Sequence, residues 1–572
     1  MESDGCPGPE PRAKKPPQLR EMRTQLWADF HRCFGRPLAW IRGPATPRPF
    51  RITPIFQRVQ TAPIRLLDRV FPTSKRKLWF LLALFTVWVV HFSLVLYASV
   101  SPKLEGYGSP VRLSCTSRLW SNSTLCGMDG EECQPFEDHS FAFQCPASCK
   151  ETKVLEPYFV GPAEVNYRSL VIGGAQVSSE NGTESQVYRA DSDTTGGCGL
   201  VKRVGAQDDF RGTEANGISS IPFPSYFPSS FTFEELDESQ SRCEDKRWTL
   251  LALSVVYSSA ISIFSTSLFF HVALVSDPPN YTDYSETLST ATGCFLPTAF
   301  IGVIIYHICA QYTLTDLTAP IEKTLLWLGG AWVGALHNYT FDTIPISRLT
   351  PHDIKQQPGA IPALIILVSI LLAIALGQAY AFWREGRLPT YLKLYGIMAT
   401  GILLLLAVPN MNLRIHHYIL ALLLLPGTAL QTRPSLLYQG ILLGLFINGI
   451  ARWGYASILQ TAAQLQGDAQ VGSLLPNVTV LEVSVDSISF ALSGWAADEA
   501  VGFSMLVNDV ESFRRWKVDG FNETGISWRR HVYDLPEFFR FGYIFRETMG
   551  HSWYGDFTKA GTWEANGTWT SG

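Results

Sequence analysis

The sequence lacks the local signatures by which many enzymes of its size announce themselves. No glycine-rich phosphate loop, dinucleotide fingerprint or convincing nucleophile elbow occurs in its 572 residues. Nucleotide-driven chemistry, nicotinamide or flavin redox chemistry and α/β-hydrolase acyl transfer therefore have none of their usual markers. No His-x3-His or His-Glu-x-x-His pair occurs either, and two imidazoles one helical turn apart are what a single helix needs to grip zinc. No secretory leader opens the chain, and no inverted repeat relates its halves. From Gln460 onward there is no cysteine and no long apolar block. The expectation is a chain that is not an enzyme and carries no cofactor.

What the chain does hold is apolar residues gathered into blocks. Residues 78–98 and 248–275 are two, and 291–455 contains six more, at 291–309, 325–339, 361–383, 392–408, 415–430 and 436–455. Such runs approach or exceed the ~18 mainly apolar residues that mark a membrane-spanning helix, and Trp, Tyr and Phe crowd their ends as interfacial anchors do. The fold expected is a multi-pass α-helical membrane protein of about eight spans. The net charge of −4 hides a regional asymmetry, because residues 1–77 are strongly basic. Arg65, Arg69, Lys75, Arg76 and Lys77 thicken toward the first block, which keeps that flank cytoplasmic. Rich in Pro and Arg, residues 1–77 read as a mostly disordered tail with one short helix around residues 19–34. Lys14, Lys15 and Arg20 read as a solvated basic tail that favours anionic lipid rather than as a nuclear signal. Membrane lipids are the expected partners, and no nucleic acid is.

Between the first two blocks, residues 115–243 hold seven of the eleven cysteines: Cys115, Cys126, Cys133, Cys145, Cys149, Cys198 and Cys243. That density suits a small disulfide-stapled module in an oxidising compartment, because a short chain buries too little apolar surface to hold itself folded. With the tail inside, this segment lies outside the cytosol. The acceptor sequences Asn122-Ser-Thr124 and Asn181-Gly-Thr183 agree, and mark both asparagines as glycosylation candidates. Cys145-x3-Cys149 has usable zinc spacing, but no second ligand pair is obvious and the compartment favours disulfides. Seven is odd, so one thiol is unpaired or pairs between chains. Cys6 and Cys33 in the tail are expected to be reduced, and Cys294 and Cys309 to be ordinary buried residues of a span.

Residues 470–572 read as a β-rich domain of sandwich type. Residues 478–492 alternate in part like a half-buried strand, 502–507 precede an Asn508-Asp509 turn, and 538–545 are aromatic and strand-like. Its side of the membrane is open: eight spans return it to the cytosol, whereas acceptor sequences at Asn477, Asn522 and Asn566 point outside. Seven spans would reverse the parity.

Polar residues within spans are costly and often functional. His271, His307, His337, Asp342, His416 and His417, with Arg414, Asn448 and Arg452, are the group that a zinc-dependent intramembrane hydrolase would draw on. Against it, His416 and His417 point about 100° apart on a helix, and most of these histidines sit at helix ends where headgroups hydrate them. Arg414, His416 and His417 read as the interfacial start of a span. Asn448 and Arg452 either share a polar seam or Arg452 snorkels outward. Pro297, Pro409 and Pro426, with Gly440, Gly444 and Gly449, permit kinks and close helix approach.

Read residue by residue, the cysteine-rich segment resembles an LCCL domain over residues 133–233. Cys145-Pro-Ala-Ser-Cys149 matches the paired-cysteine opening, Val187-Tyr-Arg-Ala-Asp-Ser192 the tyrosine strand, Gly196-Gly197 the glycine pair and Asn216-Gly-Ile-Ser-Ser220 the closing element. The stretches 157–168, 223–233 and 439–452 look like the fungal multi-pass LCCL-domain proteins. One departure stands out: the cysteine and the Ala-Ala-Ile-His-Ala-Gly helix of the family are missing after Ser192, where Asp193-Thr-Thr195 runs into Gly196-Gly-Cys198. A skipped exon and a truly shortened domain are the two explanations. The resemblance implies that Cys145 and Cys149 belong to different bridges, and that the module binds a lipid, a polysaccharide or another protein. The reading from a different class is a transporter or an intramembrane metal-dependent hydrolase with this module as an accessory.

Overall fold

The computed structural model describes residues 40–100, the strands and a few turns between 106 and 235, and, with short interruptions, 247–276, 284–460 and 472–572. Among the described residues five helices are long and apolar enough to cross a membrane. In chain order the helices are α1 (Gln57–Val70), α2 (Ser74–Val100), α3 (Arg247–Ser258), α4 (Ile261–Leu274) and α5 (Tyr284–Ile305), which continues through a π-helical turn, Tyr306–Ala310, to Leu314. Next comes α6, built from Pro320–Glu322, a second π-helical turn over Lys323–Leu328 and Gly329–Ala335. Then follow α7 (Ala360–Arg384), α8 (Leu388–Leu406), α9 (His417–Leu424) and α10 (Arg433–Trp453). The five long helices are α2, α5 with its extension, α7, α8 and α10.

The eight expected blocks thus resolve differently. Residues 248–275, read as one span, are two helices packed on each other, with Ser267 Oγ donating to the Ser254 carbonyl at 3.0 Å. In one straight helix those residues would stand about 20 Å apart at ~1.5 Å per residue. The blocks at 325–339 and 415–430 fall in α6 and α9, both shorter than the five long helices. The expected helix around residues 19–34 lies outside the described residues, whereas α1 occupies part of what was read as disordered tail.

The chain divides into two compact units. One comprises residues 1–78, 296–409 and 415–450. Its central helix is α10, with 56% of its apolar stretch buried, whereas only 6% of that of α7 and of α8 is buried. Helix α10 meets α6 along glycines: a Cβ on Gly440 would overlap the Trp327 carbonyl oxygen, and one on Gly444 that of Ala331. On α6, Gly330 and Gly334 present the same spacing, and a Cβ on Gly334 would overlap the Ile441 carbonyl. Small residues four apart on both helices let the backbones touch, the packing that drives helix association where water provides no hydrophobic force.

The same unit seats the segment that precedes the first long apolar helix. Trp383 Nε1 donates to the Trp40 carbonyl at 2.7 Å, and the Phe50 amide donates to Glu385 Oε1 at 2.9 Å. Buried Glu322 accepts from the Ile55 amide (2.9 Å), Gln60 Nε2 (2.8 Å) and Arg433 Nη2 (3.3 Å), and Arg433 Nη2 also reaches the Thr53 carbonyl at 2.8 Å. Residues 53–60 therefore lie at the start of α6 and the start of α10, and Phe50 at the end of α7.

The other unit comprises residues 79–295, 410–414 and 451–572. Its cysteine-rich part carries β1 (Val111–Arg112), β2 (Ser140–Gln144), β3 (Tyr158–Val160), β4 (Ala163–Val165), β5 (Cys198–Arg203), β6 (Gln207–Phe210), β7 (Phe223–Phe227) and β8 (Phe231–Glu235). A four-stranded sheet runs β1-β2-β5-β8, and its cross-strand pair Ala142 and Leu200 is buried.

Beyond residue 472 come β9 (Val478–Val483), β10 (Ser487–Leu492), β11 (Ala500–Val507), β12 (Val510–Trp516), β13 (Thr524–Arg529), β14 (Glu537–Arg546), β15 (Ser552–Phe557), β16 (Gly561–Trp563) and β17 (Trp569–Thr570). The single strand read over 478–492 is a hairpin. Two antiparallel sheets, β9-β10-β13 and β12-β11-β14-β16-β17 with β15 also on β14, share one core. Phe539, Phe541, Tyr543 and Phe545 enter it at every second position of β14, opposite Phe490, Phe503 and Met505, the alternation a half-buried strand requires.

Candidate functional site

The cysteine-rich part and the C-terminal β domain meet through named polar groups, all within one compact unit. The contact centres on the turn between β11 and β12, where Asn508 and Asp509 both have positive φ, 54° and 62°. Two such residues build the tight hairpin turn that matches strand twist, and Asn and Asp tolerate that backbone best after glycine. The turn aims both side chains at the other part. Asn508 Nδ2 donates to the Tyr226 carbonyl at 2.7 Å, while its Oδ1 accepts from the Phe538 amide at 2.9 Å. Asp509 Oδ2 accepts from the Gly161 amide at 2.7 Å, and its Oδ1 accepts from Arg540 Nε at 2.9 Å. Arg540 in turn donates to the Gly161 carbonyl. Gly161 lies in the β3–β4 turn with φ 53°, and its two backbone groups are clamped between a carboxylate and a guanidinium.

Three further contacts widen this surface. Ser225 Oγ donates to the Pro536 carbonyl at 2.7 Å, and Ser512 Oγ donates to Asp129 Oδ1 at 2.7 Å. The Tyr226 ring stacks on His531, centroids 4.9 Å apart and 15° from parallel. His531 is set by Glu537, whose Oε1 accepts from the His531 amide at 3.1 Å and lies 3.5 Å from Nδ1, while its Oε2 accepts from Trp528 Nε1 at 2.9 Å. The hydrogen bond to Glu537 raises the His531 pKa; burial opposes it and the charges of Glu537 and Asp129 add to it. Burial pushes the Asp509 carboxyl up, against the opposing charge of Arg540. With Asn508 and Arg540 buried, this contact resembles an interior more than a passing touch, since buried polar groups must find partners.

A second polar cluster lies in the helical unit, at Gln439 of α10. Its Oε1 accepts from Trp327 Nε1 at 2.9 Å, and its Nε2 donates to Thr313 Oγ1 at 3.0 Å and Cys309 Sγ at 3.2 Å. Cys309 also donates to the Leu425 carbonyl at 2.9 Å. Both π-helical turns, which hold Cys309 and Trp327, thus turn a side chain onto one glutamine. Such turns are frequent at functional sites. Neither Gln439 nor the docking role of Asn508-Asp509 was foreseen; a glutamine inside an apolar block was the available signal for the first.

The residues singled out beforehand are only partly brought together. Cys115, Cys126, Cys133, Cys145, Cys149 and Cys243 lie outside the described residues, as do Asn122, Asn181 and Asp342. Cys198 opens β5, of which the backbone is described. His337 and His417 meet edge to face at 4.7 Å, and His416 stacks on Tyr418 at 6.0 Å. His271 is buried in α4, and His307 lies in the π turn after α5. Among the described residues no group of three His, Cys, Asp or Glu could hold a metal ion. Asn448 Nδ2 donates to the Ala335 carbonyl at 2.7 Å, and the Arg452 guanidinium lies 5.2 Å from the Trp453 ring centre. Arg414 Nη1 donates to Gln460 Oε1 at 3.2 Å, three residues before α9 begins. Cys309 is buried as expected, while Cys294 is only half-buried.

Comparison with known proteins bears on the same region. The LCCL domain family matches residues 113–231. An uncharacterized protein of Saccharomyces cerevisiae is 33% identical over 447 residues, covering 70% of this chain and 65% of the yeast protein. The chain therefore spans just under two thirds of the length of that curated relative. No solved structure matches.

Proposed function

Because this chain carries an LCCL domain and, among the described residues, five helices long and apolar enough to cross a membrane, we propose that it is a non-enzymatic membrane protein whose LCCL domain binds a ligand outside the cytosol. The ligand is a lipid, a polysaccharide or another protein, met at the plasma membrane or in an endomembrane lumen. The basic flank before α2 supports a cytoplasmic N-terminus, and one crossing by α2 then carries the LCCL domain outside. The observation that carries the reading is the match over 113–231, directly after the first long helix. Docking of the β domain on Gly161 and Tyr226 supports a composite head in which binding to one part is felt by the other.

The test uses full-length protein in nanodiscs beside a chain lacking residues 113–231. Both are offered phosphatidylserine vesicles, insoluble β-glucan and an extracellular protein extract. Retention of any of these by the full chain and not by the shortened one supports the proposal; equal behaviour of the two chains against all three overturns it.

A second reading rests on the Gln439 cluster. Two helices that each widen at the side chain they turn onto one buried glutamine suit a transport path through the bundle, with the LCCL domain as accessory. Substrate-dependent uptake by proteoliposomes, abolished by Gln439→Leu, is the result that would favour it.

A further inference from the structure

We propose that the C-terminal β domain lies on the same side of the membrane as the LCCL domain and carries N-linked glycans at Asn477 and Asn566. Two independent sets of contacts lead to the shared side. The first is in the helical unit. Arg433, which opens α10, donates to the Thr53 carbonyl at 2.8 Å and to Glu322, the carboxylate that also holds Ile55 and Gln60. Residues 53–60 precede the first long helix, so the start of α10 and the chain before α2 share one membrane face. Helix α2 crosses once and leads to the LCCL domain. Helix α10, 21 residues and about 31 Å long at ~1.5 Å per residue, crosses the ~30 Å apolar layer once and leads to the β domain. Both therefore emerge opposite the tail.

The second set is the contact between Asn508, Asp509, Arg540 and Ser512 on the β domain and Tyr226, Gly161 and Asp129 on the other part. Such bonds need both parts in the same compartment. Segment 248–275 removes the conflict of parity. Its arms α3 and α4, of 12 and 14 residues, fold back on each other through Ser267 and Ser254, so the segment enters and leaves on one face. Trp383 and Glu385 at the end of α7 hold Trp40 and Phe50 of the tail, so α7 ends on the tail's face; α5 to α10 then cross in alternation, and six crossings return the chain to the side it left.

The glycan sites rest on this placement together with the orientation given under Proposed function. Asn477-Val-Thr479 sits at the entry to β9 with Asn477 exposed. Asn566-Gly-Thr568 forms the turn between β16 and β17, again with the asparagine exposed. There Asn566 Oδ1 accepts from the Thr568 amide at 3.0 Å and from its hydroxyl at 2.7 Å, so the hydroxyl that the acceptor sequence requires is beside the amide it serves. In the transfer, the side-chain amide nitrogen bonds to the anomeric carbon of a polyprenyl-diphosphate oligosaccharide. The bond from that carbon to the diphosphate breaks, and the nitrogen gives up one proton. Exposure of both asparagines means that the folded domain accommodates the products.

The experiment uses the full chain with an epitope after Gly572 and a second one in the LCCL region, in sealed microsomes treated with protease from the cytosolic side. Protection of both epitopes, with an endoglycosidase-sensitive mass on the C-terminal fragment that falls stepwise in Asn477→Gln and in the double variant with Asn566→Gln, is expected. Digestion of the C-terminal epitope while the other stays protected overturns the shared side. Digestion of both supports the shared side and instead refutes the orientation under Proposed function. A protected C-terminal fragment whose mass is unchanged by endoglycosidase overturns the glycan sites.

Discussion

Arg433 Nη2 donates to the carbonyl of Thr53 across 2.8 Å, and so fixes the residue that opens the last long helix beside the segment that precedes the first. Glu322 completes the knot, accepting from Arg433, Gln60 and the Ile55 amide. Glu322→Ala should strip those donors of their acceptor and release α1. Limited trypsinolysis in detergent is expected to cut at Arg58 and Arg65 several times faster in the variant than in the parent protein, with no comparable change at Arg514 or Arg515.

The Asn508-Asp509 turn gives a second expectation. Asp509→Asn keeps a side chain that tolerates positive φ but takes the negative charge from Arg540, which is buried. The loss should be about 1–3 kcal/mol, read as a lower melting temperature of the β domain. Asp509→Val should cost more, because a β-branched residue also resists a φ of 62°.

His531 sets a pH dependence. Its folded-state pKa is raised, first by the hydrogen bond to Glu537, so His531 holds its proton more tightly in the folded protein than in the unfolded chain. The stabilisation is complete below the unfolded value, about 6.5, and is lost as pH rises through the folded value. Hydrogen exchange of the amides of Glu537–Arg546 should therefore show more protection at about pH 6 than at about pH 8 once intrinsic rates are divided out. His531→Gln should flatten the difference.

The glycine seam gives the fourth. A side chain at Gly444 meets the backbone of Ala331 and Ala335, neither of which can yield as a flexible side chain would. Gly444→Leu should destabilise the bundle by at least the ~1–3 kcal/mol typical of overpacking. Gly377→Leu on α7, where a Cβ would meet nothing within 4 Å, should leave the melting temperature nearly unchanged.

How much of this was legible depended on whether the signal was local. Helix α7 (Ala360–Arg384) could be read from the long apolar block at 361–383, and β14 from the aromatic run at 538–545. Hydropathy records apolar content but not direction, so the reversal between α3 and α4 passed as one long span. The π turns over Tyr306–Ala310 and Lys323–Leu328 leave no compositional mark, and α6 shows in the sequence only as the apolar block at 325–339. Asn508-Asp509 was readable as a turn from its tolerance of positive φ. Its partner Gly161 is 348 positions away, and no periodicity connects residues so far apart. The LCCL likeness was carried by spaced motifs, which survive in sequence even where the pairing of their cysteines does not show.

The central claim is that the LCCL domain and the β domain form one head on one side of the membrane. Asp129→Cys with Ser512→Cys places two thiols where Ser512 Oγ now donates to Asp129 Oδ1 at 2.7 Å. Mild oxidation of intact membranes, followed by cleavage at a protease site inserted between residues 461 and 471, tests it on the full chain. The two fragments should stay joined on a non-reducing gel and separate on reduction. Separate fragments without reductant, from a protein whose two new thiols both react with a maleimide, would contradict it.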